Sequence, residues 1–166
     1  MTTVIRPIAL TQQNFAPFGD VIETSATTND EMNAGRFSRF ANLCSVDVGS
    51  GDVSISIVVS QVVTSLPISI DMLERHALGS QAFIPLSGAR MILVVAPPAD
   101  QPDLSQLLAF ESNGEQGINY APGTWHMPLL AFETGQRYLC IDKGGSEPNC
   151  DEYLLPEVIT LSEAER

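Results

Sequence analysis

Short runs of alternating or β-branched apolar residues recur along the chain, and residues that favour turns lie between them. Residues 53–59 begin with strict alternation of apolar and serine positions, and residues 91–95 are entirely apolar. Similar short segments occur at residues 107–110, 128–132 and 136–141. Many short strands separated by glycine- and proline-containing turns are typical of an all-β sandwich or barrel. The pattern therefore predicts a mainly β protein.

The segment that begins after Pro67 is the most informative, because apolar positions lead there into polar ones. As a β-strand, its alternate residues share one face: Ile68, Ile70, Met72, Glu74 and His76. Such a face is expected where the inner wall of a small barrel approaches an open mouth. The alternative is a helix over residues 71–75, on which Glu74 and His76 would not face each other. Pro67 and the β-branched isoleucines favour the strand.

Helical signals are few. Thr11 is placed to cap one short turn over residues 12–15, and another short helix is expected after Pro102. The length of 166 residues suits one domain with a sizeable core. We therefore predict a single domain over residues 1–166, built mainly from β-strands, with one or two short helices.

The charge balance restricts the partners that the protein can bind. Eight Lys and Arg residues stand against 20 Asp and Glu residues, which gives a formal net charge of −12. Because this field repels phosphate groups, we expect no nucleic-acid partner. It also repels a small carboxylate ligand, which would need a metal ion or one of the few basic side chains.

The chain carries no sign of membrane insertion or secretion. No apolar run reaches the length of a membrane span, and the N-terminus lacks the pattern of a signal peptide. Three cysteines without Cys-x-x-Cys spacing are typical of reduced thiols. We therefore expect a cytoplasmic protein without a membrane partner.

The chain contains two histidines, and each lies in a frame that resembles half of a cupin motif. In the first frame, Glu74 and His76 stand where the cupin pattern has two histidines, and Gln81 stands where it has a glutamate. In the second frame, His126 follows a Pro-Gly turn at the expected spacing. Because the two motifs of a cupin line one pocket, the resemblance implies that the two histidines face each other.

These residues form a mixed nitrogen and oxygen ligand set of Glu74, His76, Gln81 and His126. Imidazole and carboxylate groups suit divalent first-row metals, and nickel or manganese is the expected ion. The neutral amide of Gln81 is a weak donor, so the set is weaker than the three-His, one-Glu site usual in cupins. Two interpretations stay open: the pocket binds a labile metal, or the histidines act as acid–base catalysts without one. No organic cofactor is indicated.

Further polar residues are candidates for binding a substrate. Lys143 is the sole lysine of the chain and precedes a Gly-Gly pair, where a ligand could approach the backbone closely. Arg39 could bind a carboxylate through two N–H groups, and a solvated surface charge is the alternative. Asn119 and Tyr120 precede the second frame and are expected to line the pocket, as is Gln81.

Five segments extend the resemblance over nearly the whole chain, in order: residues 18–23, 74–85, 113–120, 125–129 and 142–145. They read FGDVIE, ERHALGSQAFIP, NGEQGINY, WHMPL and DKGG. Together they resemble the ureidoglycolate lyase family of the cupin superfamily. The resemblance implies a cupin-like β-barrel of the jelly-roll type that forms a homodimer. One departure is Met127, where several members of the family would have histidine.

The resemblance also implies a reaction, the conversion of (S)-ureidoglycolate to glyoxylate and urea in allantoin degradation. His76, His126 and Glu74 are then the expected catalytic residues. One alternative is amidohydrolysis of the same compound, which releases ammonia. Another is a cupin that binds a small acid without turning it over, although such a sensor normally carries a second domain.

Overall fold

The apolar alternation forms short strands throughout the computed structural model, which describes residues 3–24 and 29–165. The strands are β1 (Thr3–Ile5), β2 (Ile8–Ala9), β3 (Gly19–Ile22), β4 (Asn29–Met32), β5 (Phe37–Phe40), β6 (Val53–Val59), β7 (Ile68–Arg75), β8 (Gln81–Pro85), β9 (Ile92–Ala96), β10 (Leu108–Glu111), β11 (Gly117–Tyr120), β12 (Trp125–His126), β13 (Arg137–Lys143) and β14 (Asp151–Leu161). The prediction of a mainly β protein is confirmed.

The strands form two large sheets and one hairpin. The seven-stranded sheet has the order β1-β14-β7-β12-β9-β10-β2, and the five-stranded sheet has the order β3-β11-β8-β13-β6. Strands β4 and β5 pair only with each other among the described residues. Most neighbouring strands run antiparallel. Residues of both large sheets pack into one shared core, so the two sheets form the walls of a cupin-like barrel.

An inner core fills the space between the two sheets. Leu93 and Val95 contribute from the seven-stranded sheet, and Phe83, Ile118 and Tyr138 contribute from the five-stranded sheet. The single-turn helix packs on the same core. Any side chain that shares a strand face with these residues therefore points into the barrel.

A second, outer core covers the opposite face of the seven-stranded sheet. It contains Ile92, Val94 and Ala96, which alternate with the inner residues of the same strand, together with Trp125 and Leu73. All five residues of β9 are consequently buried. Both faces of this sheet are packed, so the strands at its centre are held from two sides.

Strand β7 interrupts the alternation that the sequence predicts. Ile70 and Leu73 are three residues apart, yet both pack in the outer core. The neighbouring strand shifts its register between Leu154 and Ile159, opposite this part of β7, and a shift of this kind re-aims the following side chains. The prediction that Ile70 shares one face with Glu74 is therefore wrong, although the segment is a strand.

The two predicted helical turns are confirmed. The α-helix α1 (Gln12–Phe15) begins after Thr11, whose hydroxyl accepts a hydrogen bond from the Asn14 amide at 3.2 Å. The Asn14 side chain accepts one from the Thr11 amide at 2.9 Å, which completes a reciprocal cap. The second turn is a 3₁₀ helix (Leu104–Gln106). Neither these nor any other helix in the described ranges is long and apolar enough to cross a membrane.

Residues 128–132 do not form the predicted strand. Pro128 has no N–H to donate, and the Phe132 amide donates instead to the Gln136 side chain at 3.0 Å. The Ala131 carbonyl accepts from the Thr64 amide of another loop at 2.7 Å. Leu130 is nevertheless buried in the outer core, which explains why the segment is apolar.

A pair of leucine substitutions tests the inner core. Leu93 is 2% exposed, so Leu93→Ala should lower the free energy of unfolding by about 2–5 kcal/mol through lost burial and a cavity. Leu154 is 76% exposed, and Leu154→Ala should change it by less than about 0.5 kcal/mol. Urea denaturation followed by circular dichroism measures both. Equal losses would contradict this assignment of the core.

Candidate active site

The two-residue strand β12 brings His126 of the second motif next to Glu74 of the first. Strand β12 lies between β7 and β9, where His126 pairs directly with Glu74 on one side and with Val95 on the other. Because directly opposed residues point to the same face of a sheet, His126 and Glu74 share the inner face with Val95. The neighbouring Trp125 points the other way and packs in the outer core.

His76 completes a cluster of three potential metal ligands. It follows β7 directly, and its ring centroid lies 5.4 Å from that of His126. One ligand atom from each of Glu74, His76 and His126 lies within 4.8 Å of the other two. The structure thus brings the two histidines together, although they lie at neighbouring strands of one sheet and not on opposing walls; the three residues are called the triad below.

Hydrogen bonds orient both imidazole rings. The Nδ1 atom of His76 lies 2.6 Å from the Asn149 carbonyl oxygen, and the Nδ1 atom of His126 lies 3.2 Å from the Met127 carbonyl oxygen. A carbonyl oxygen only accepts, so both Nδ1 atoms donate, and in a neutral ring the lone pair then lies on Nε2. Both Nε2 atoms are buried and without a hydrogen-bond partner among the described residues. They are therefore free to bind a cation or to accept a proton.

Burial sets the protonation of the triad. Burial, and then the nearby His76, lowers the pKa of His126 to about 3, so this ring is neutral at physiological pH. The 3.9 Å contact between His126 Nδ1 and Glu74 Oε1 is consequently not an ion pair. Burial raises the pKa of Glu74 above its ordinary value, and the neighbouring His76 opposes this effect.

Tyr120 lies against the triad from the other sheet, as predicted for a residue of the pocket wall. Its ring stacks on His126 with the centroids 4.2 Å apart and the planes 7° from parallel. Burial, followed by the charge of Glu74, raises the pKa of Tyr120, so the phenol keeps its proton. The stack fixes the plane of the His126 ring.

Three more side chains share the inner face with Tyr120. Gln81 pairs directly with Tyr120, and its amide nitrogen lies 3.4 Å from Asp142 Oδ2. Cys140 belongs to the inner core, and its sulfur lies 3.7 Å from the same oxygen. Burial, with the charge of Asp142 second, raises the pKa of Cys140 to about 12, so the thiol is protonated. Asp142 thus accepts from both neighbours.

Two predicted substrate-binding residues lie on other faces of the fold. Lys143 follows Asp142 on β13 and therefore points out of the barrel, where its ammonium lies 3.3 Å from Glu147 Oε2. Asn119 precedes Tyr120 on β11 and also points outward, donating to Asp20 at 3.2 Å. The structure does not bring these side chains together with the triad.

Arg39 lies farther from the predicted pocket. It is exposed on β5 of the separate hairpin, where it pairs in register with Asp30. This hairpin belongs to neither wall of the barrel. No described contact connects Arg39 with the triad.

Three neighbours of the site were not predicted from the sequence: Asp142, Asn149 and Cys150. The sequence could have revealed Asp142. Tyr138 and Cys140 alternate on the inner face, and Asp142 continues that alternation once the strand is extended beyond residue 141. Asn149 orients His76 through a backbone carbonyl, which no side-chain pattern reveals. Cys150 lies 3.9 Å from Glu74 Oε2 because β14 pairs with β7, and that register is not evident locally.

A cavity beside the triad is small. It has a volume of about 190 Å³ and is lined by Ala77, Leu78, Pro148, Asn149, Cys150 and Asp151. A larger groove of about 820 Å³ lies between β2 and the C-terminal end of the chain, and includes Arg6, Ile8 and Glu165. We place the candidate site at the triad, because buried imidazole nitrogens without a hydrogen-bond partner indicate chemistry better than the volume of a cavity does.

The buried state of His126 has a measurable consequence. In chelator-treated protein, its imidazole should stay neutral from about pH 8 to about pH 5, because its pKa lies near 3. The unfolded chain takes up this proton near the ordinary value of 6.5, so the folded state binds fewer protons below that pH. The free energy of unfolding should therefore fall as the pH drops below about 6.5. Histidine ¹⁵N chemical shifts measure the titration, and a midpoint near 6.5 for His126 would contradict this burial.

Comparison with known proteins identifies the family of the chain. The profile of the family described as ureidoglycolate lyase matches residues 2–162. A ureidoglycolate lyase of Pseudomonas entomophila is 45% identical over 157 residues, which cover 94% of this chain and 93% of the relative. One of Azotobacter vinelandii is 43% identical over 150 residues, covering 89% of this chain and 90% of the relative. The chain therefore belongs to the ureidoglycolate lyase family.

Proposed function

We propose that this protein is a carbon–nitrogen lyase that cleaves (S)-ureidoglycolate into glyoxylate and urea during allantoin degradation. The family and the names of the relatives support the reaction. The observation that carries it in this chain is the triad, where one nitrogen of each imidazole and a carboxylate oxygen lie within 4.8 Å of one another. The whole chain, residues 1–166, is assigned to this one domain.

The substrate defines what the site must do. One carbon of ureidoglycolate carries a hydroxyl, a carboxylate and the ureido nitrogen. Removal of the hydroxyl proton lets the carbon–oxygen bond become a carbonyl while the carbon–nitrogen bond breaks. The electron pair of that bond leaves with the nitrogen, which takes up a proton to become urea. The site therefore needs a base, an acid and a place for the carboxylate.

We assign the base to His76. Its Nδ1–H is held by the Asn149 carbonyl, which leaves the buried Nε2 lone pair to accept the hydroxyl proton. His126 is a weaker base than an exposed histidine, because burial lowers its pKa to about 3. Its role is to line the site beside His76 as a neutral imidazole, whose plane is held by the stacked Tyr120 ring.

We assign the acid to Glu74. A carboxyl group with a raised pKa gives up its proton less readily than an exposed one and so holds it at a higher pH. From its position opposite His126 it can pass a proton to the departing nitrogen. Neither Lys143 nor Arg39 lies on the inner face, so the substrate carboxylate would need a cation held by the triad.

The triad also fits a divalent cation, for which nickel or manganese is proposed. One nitrogen of each imidazole and the Glu74 carboxylate would hold it, and such a mixed ligand set suits these ions. A cation bound there would act as a Lewis acid toward the substrate oxygens. No organic cofactor is needed for this elimination.

We further propose that the protein works as a homodimer in the cytoplasm. Strand β6 is the edge of the five-stranded sheet, and all five of its apolar side chains are exposed: Val53, Ile55, Ile57, Val58 and Val59. An exposed apolar edge strand favours pairing with another chain, and a second copy satisfies it by two-fold symmetry. All three cysteines are free thiols, which supports a reducing compartment.

The proposed reaction is tested by identifying the products. Purified protein should release urea and glyoxylate from (S)-ureidoglycolate, whereas an amidohydrolase would release ammonia and a non-catalytic binder neither. His76→Ala should lower kcat/KM by at least about 100-fold, because it removes the proposed base. His126→Ala should also be strongly impaired, through loss of a pocket wall. Normal turnover in both variants would refute the assignment.

The same preparation tests the role of a metal. Metal content is measured before and after chelation, and urea release is assayed at each step. Loss of activity that nickel or manganese restores supports a metal at the triad. Full activity after complete removal of the metal would refute a catalytic metal and support acid–base catalysis by His76 and Glu74.

A charged residue on the edge strand tests the dimer. Ile55 is 68% exposed on β6, and Ile55→Asp should shift the protein toward monomer, because each interface would bury a carboxylate. Val158 is 59% exposed on β14, so Val158→Asp is a matched control that adds the same charge elsewhere. Sedimentation equilibrium measures both. A wild-type monomer, or equal dissociation of the two variants, would refute the β6 interface.

A further inference from the structure

The wall opposite the triad contains a buried acceptor that the proposed roles leave unused. The Gln81 side-chain oxygen is buried and has no hydrogen-bond partner among the described residues. Its amide nitrogen faces Asp142 Oδ2 at 3.4 Å. A carboxylate only accepts, so Asp142 selects the amide orientation in which the nitrogen points toward it. The oxygen of Gln81 is thereby turned away from Asp142.

The position of Gln81 brings this acceptor to the site. Gln81 and Tyr120 are direct partners on neighbouring strands and therefore share the inner face. Tyr120 in turn stacks on His126 at 4.2 Å. Gln81 thus lies next to the residue that contacts His126, on the sheet that faces the triad.

The two walls differ in their hydrogen-bonding character. The triad offers lone pairs that suit a cation or an acidic proton, and it is where the substrate hydroxyl and carboxylate are placed. The Gln81 wall offers an acceptor oxygen backed by the negative charge of Asp142, which repels a carboxylate and favours N–H groups. In ureidoglycolate, the N–H groups belong to the ureido end. The charges therefore orient the substrate in one direction.

We propose that Gln81 binds the ureido N–H groups of the substrate and that Asp142 is the positioning residue that holds its amide. This inference rests on the proposed function and adds the origin of selectivity for a ureido acid. A buried acceptor that meets no donor is costly, so acids without the ureido group are disfavoured. The hydrogen bond exists before and during cleavage, so it contributes to binding more than to the chemical step.

The test uses two ligands that the enzyme does not cleave. Ureidoacetate carries the carboxylate and the ureido group without the hydroxyl, and glycolate carries the carboxylate and the hydroxyl without the ureido group. Gln81→Met keeps the size of the side chain and removes the acceptor. By titration calorimetry, it should weaken ureidoacetate about 10- to 100-fold and change glycolate by less than about twofold. With ureidoglycolate, KM should rise while kcat changes little.

Variants of Asp142 separate positioning from general structure. Asp142→Leu removes the acceptor that holds the Gln81 amide, so ureidoacetate should bind about 10-fold more weakly. Asp142→Asn keeps one acceptor oxygen and should recover most of that loss. Gln101→Met, at an exposed loop position, is the matched control and should bind both ligands as the wild type does. Retained glycolate binding shows that each variant is folded.

The outcomes distinguish this inference from the proposed function. Selective loss of ureidoacetate in Gln81→Met supports the ureido subsite, even if the wild type releases no urea and the proposed reaction fails. Unchanged ureidoacetate binding in Gln81→Met overturns the subsite while a urea-releasing wild type keeps its function. Equal weakening of glycolate and ureidoacetate, or no ureidoacetate binding by the wild type, also overturns it.

Discussion

The pairing of β12 between β7 and β9 is the constraint on which the site depends. This strand has only two residues, and its register determines which of them faces the barrel interior. In the observed register, His126 lies opposite Glu74 and Trp125 enters the outer core. A slip by one residue would exchange them, placing an indole at the site and an imidazole in an apolar layer. The chemistry therefore rests on a short stretch of backbone hydrogen bonds.

The two cores explain how so short a strand keeps its register. Val95 contacts the inner core and Ala96 the outer core, so the strand that pairs with β12 is packed on both faces. Trp125 adds its own anchor, since its indole N–H donates to the Ala99 carbonyl at 3.0 Å and Arg75 lies over its ring. A slipped register would leave these groups unsatisfied as well as misplacing His126.

Burial and charge give the barrel interior its chemical polarity. The protein is strongly acidic, yet the His126 imidazole is neutral, because burial lowers its pKa to about 3. The facing wall carries Asp142, which accepts from both Gln81 and Cys140. A small polar acid thus meets electron-pair donors on both walls. Only the triad wall is arranged to bind a cation or to accept a proton from the substrate. This asymmetry decides the orientation in which the substrate can react.

The sequence by itself determined the local structure and the identity of the triad. Alternation predicted β6 and most of β13, the cap at Thr11 predicted α1, and the two motif frames brought Glu74, His76 and His126 together. The tertiary structure decided the rest. It turned Lys143 outward and Asp142 inward, re-aimed β7 through the register of its partner strand, and brought the Asn149 carbonyl to His76. The physical reason is that alternation and capping act between residues close in the chain. Register and loop closure depend on partners dozens of residues away, whose contacts exist only in the folded barrel.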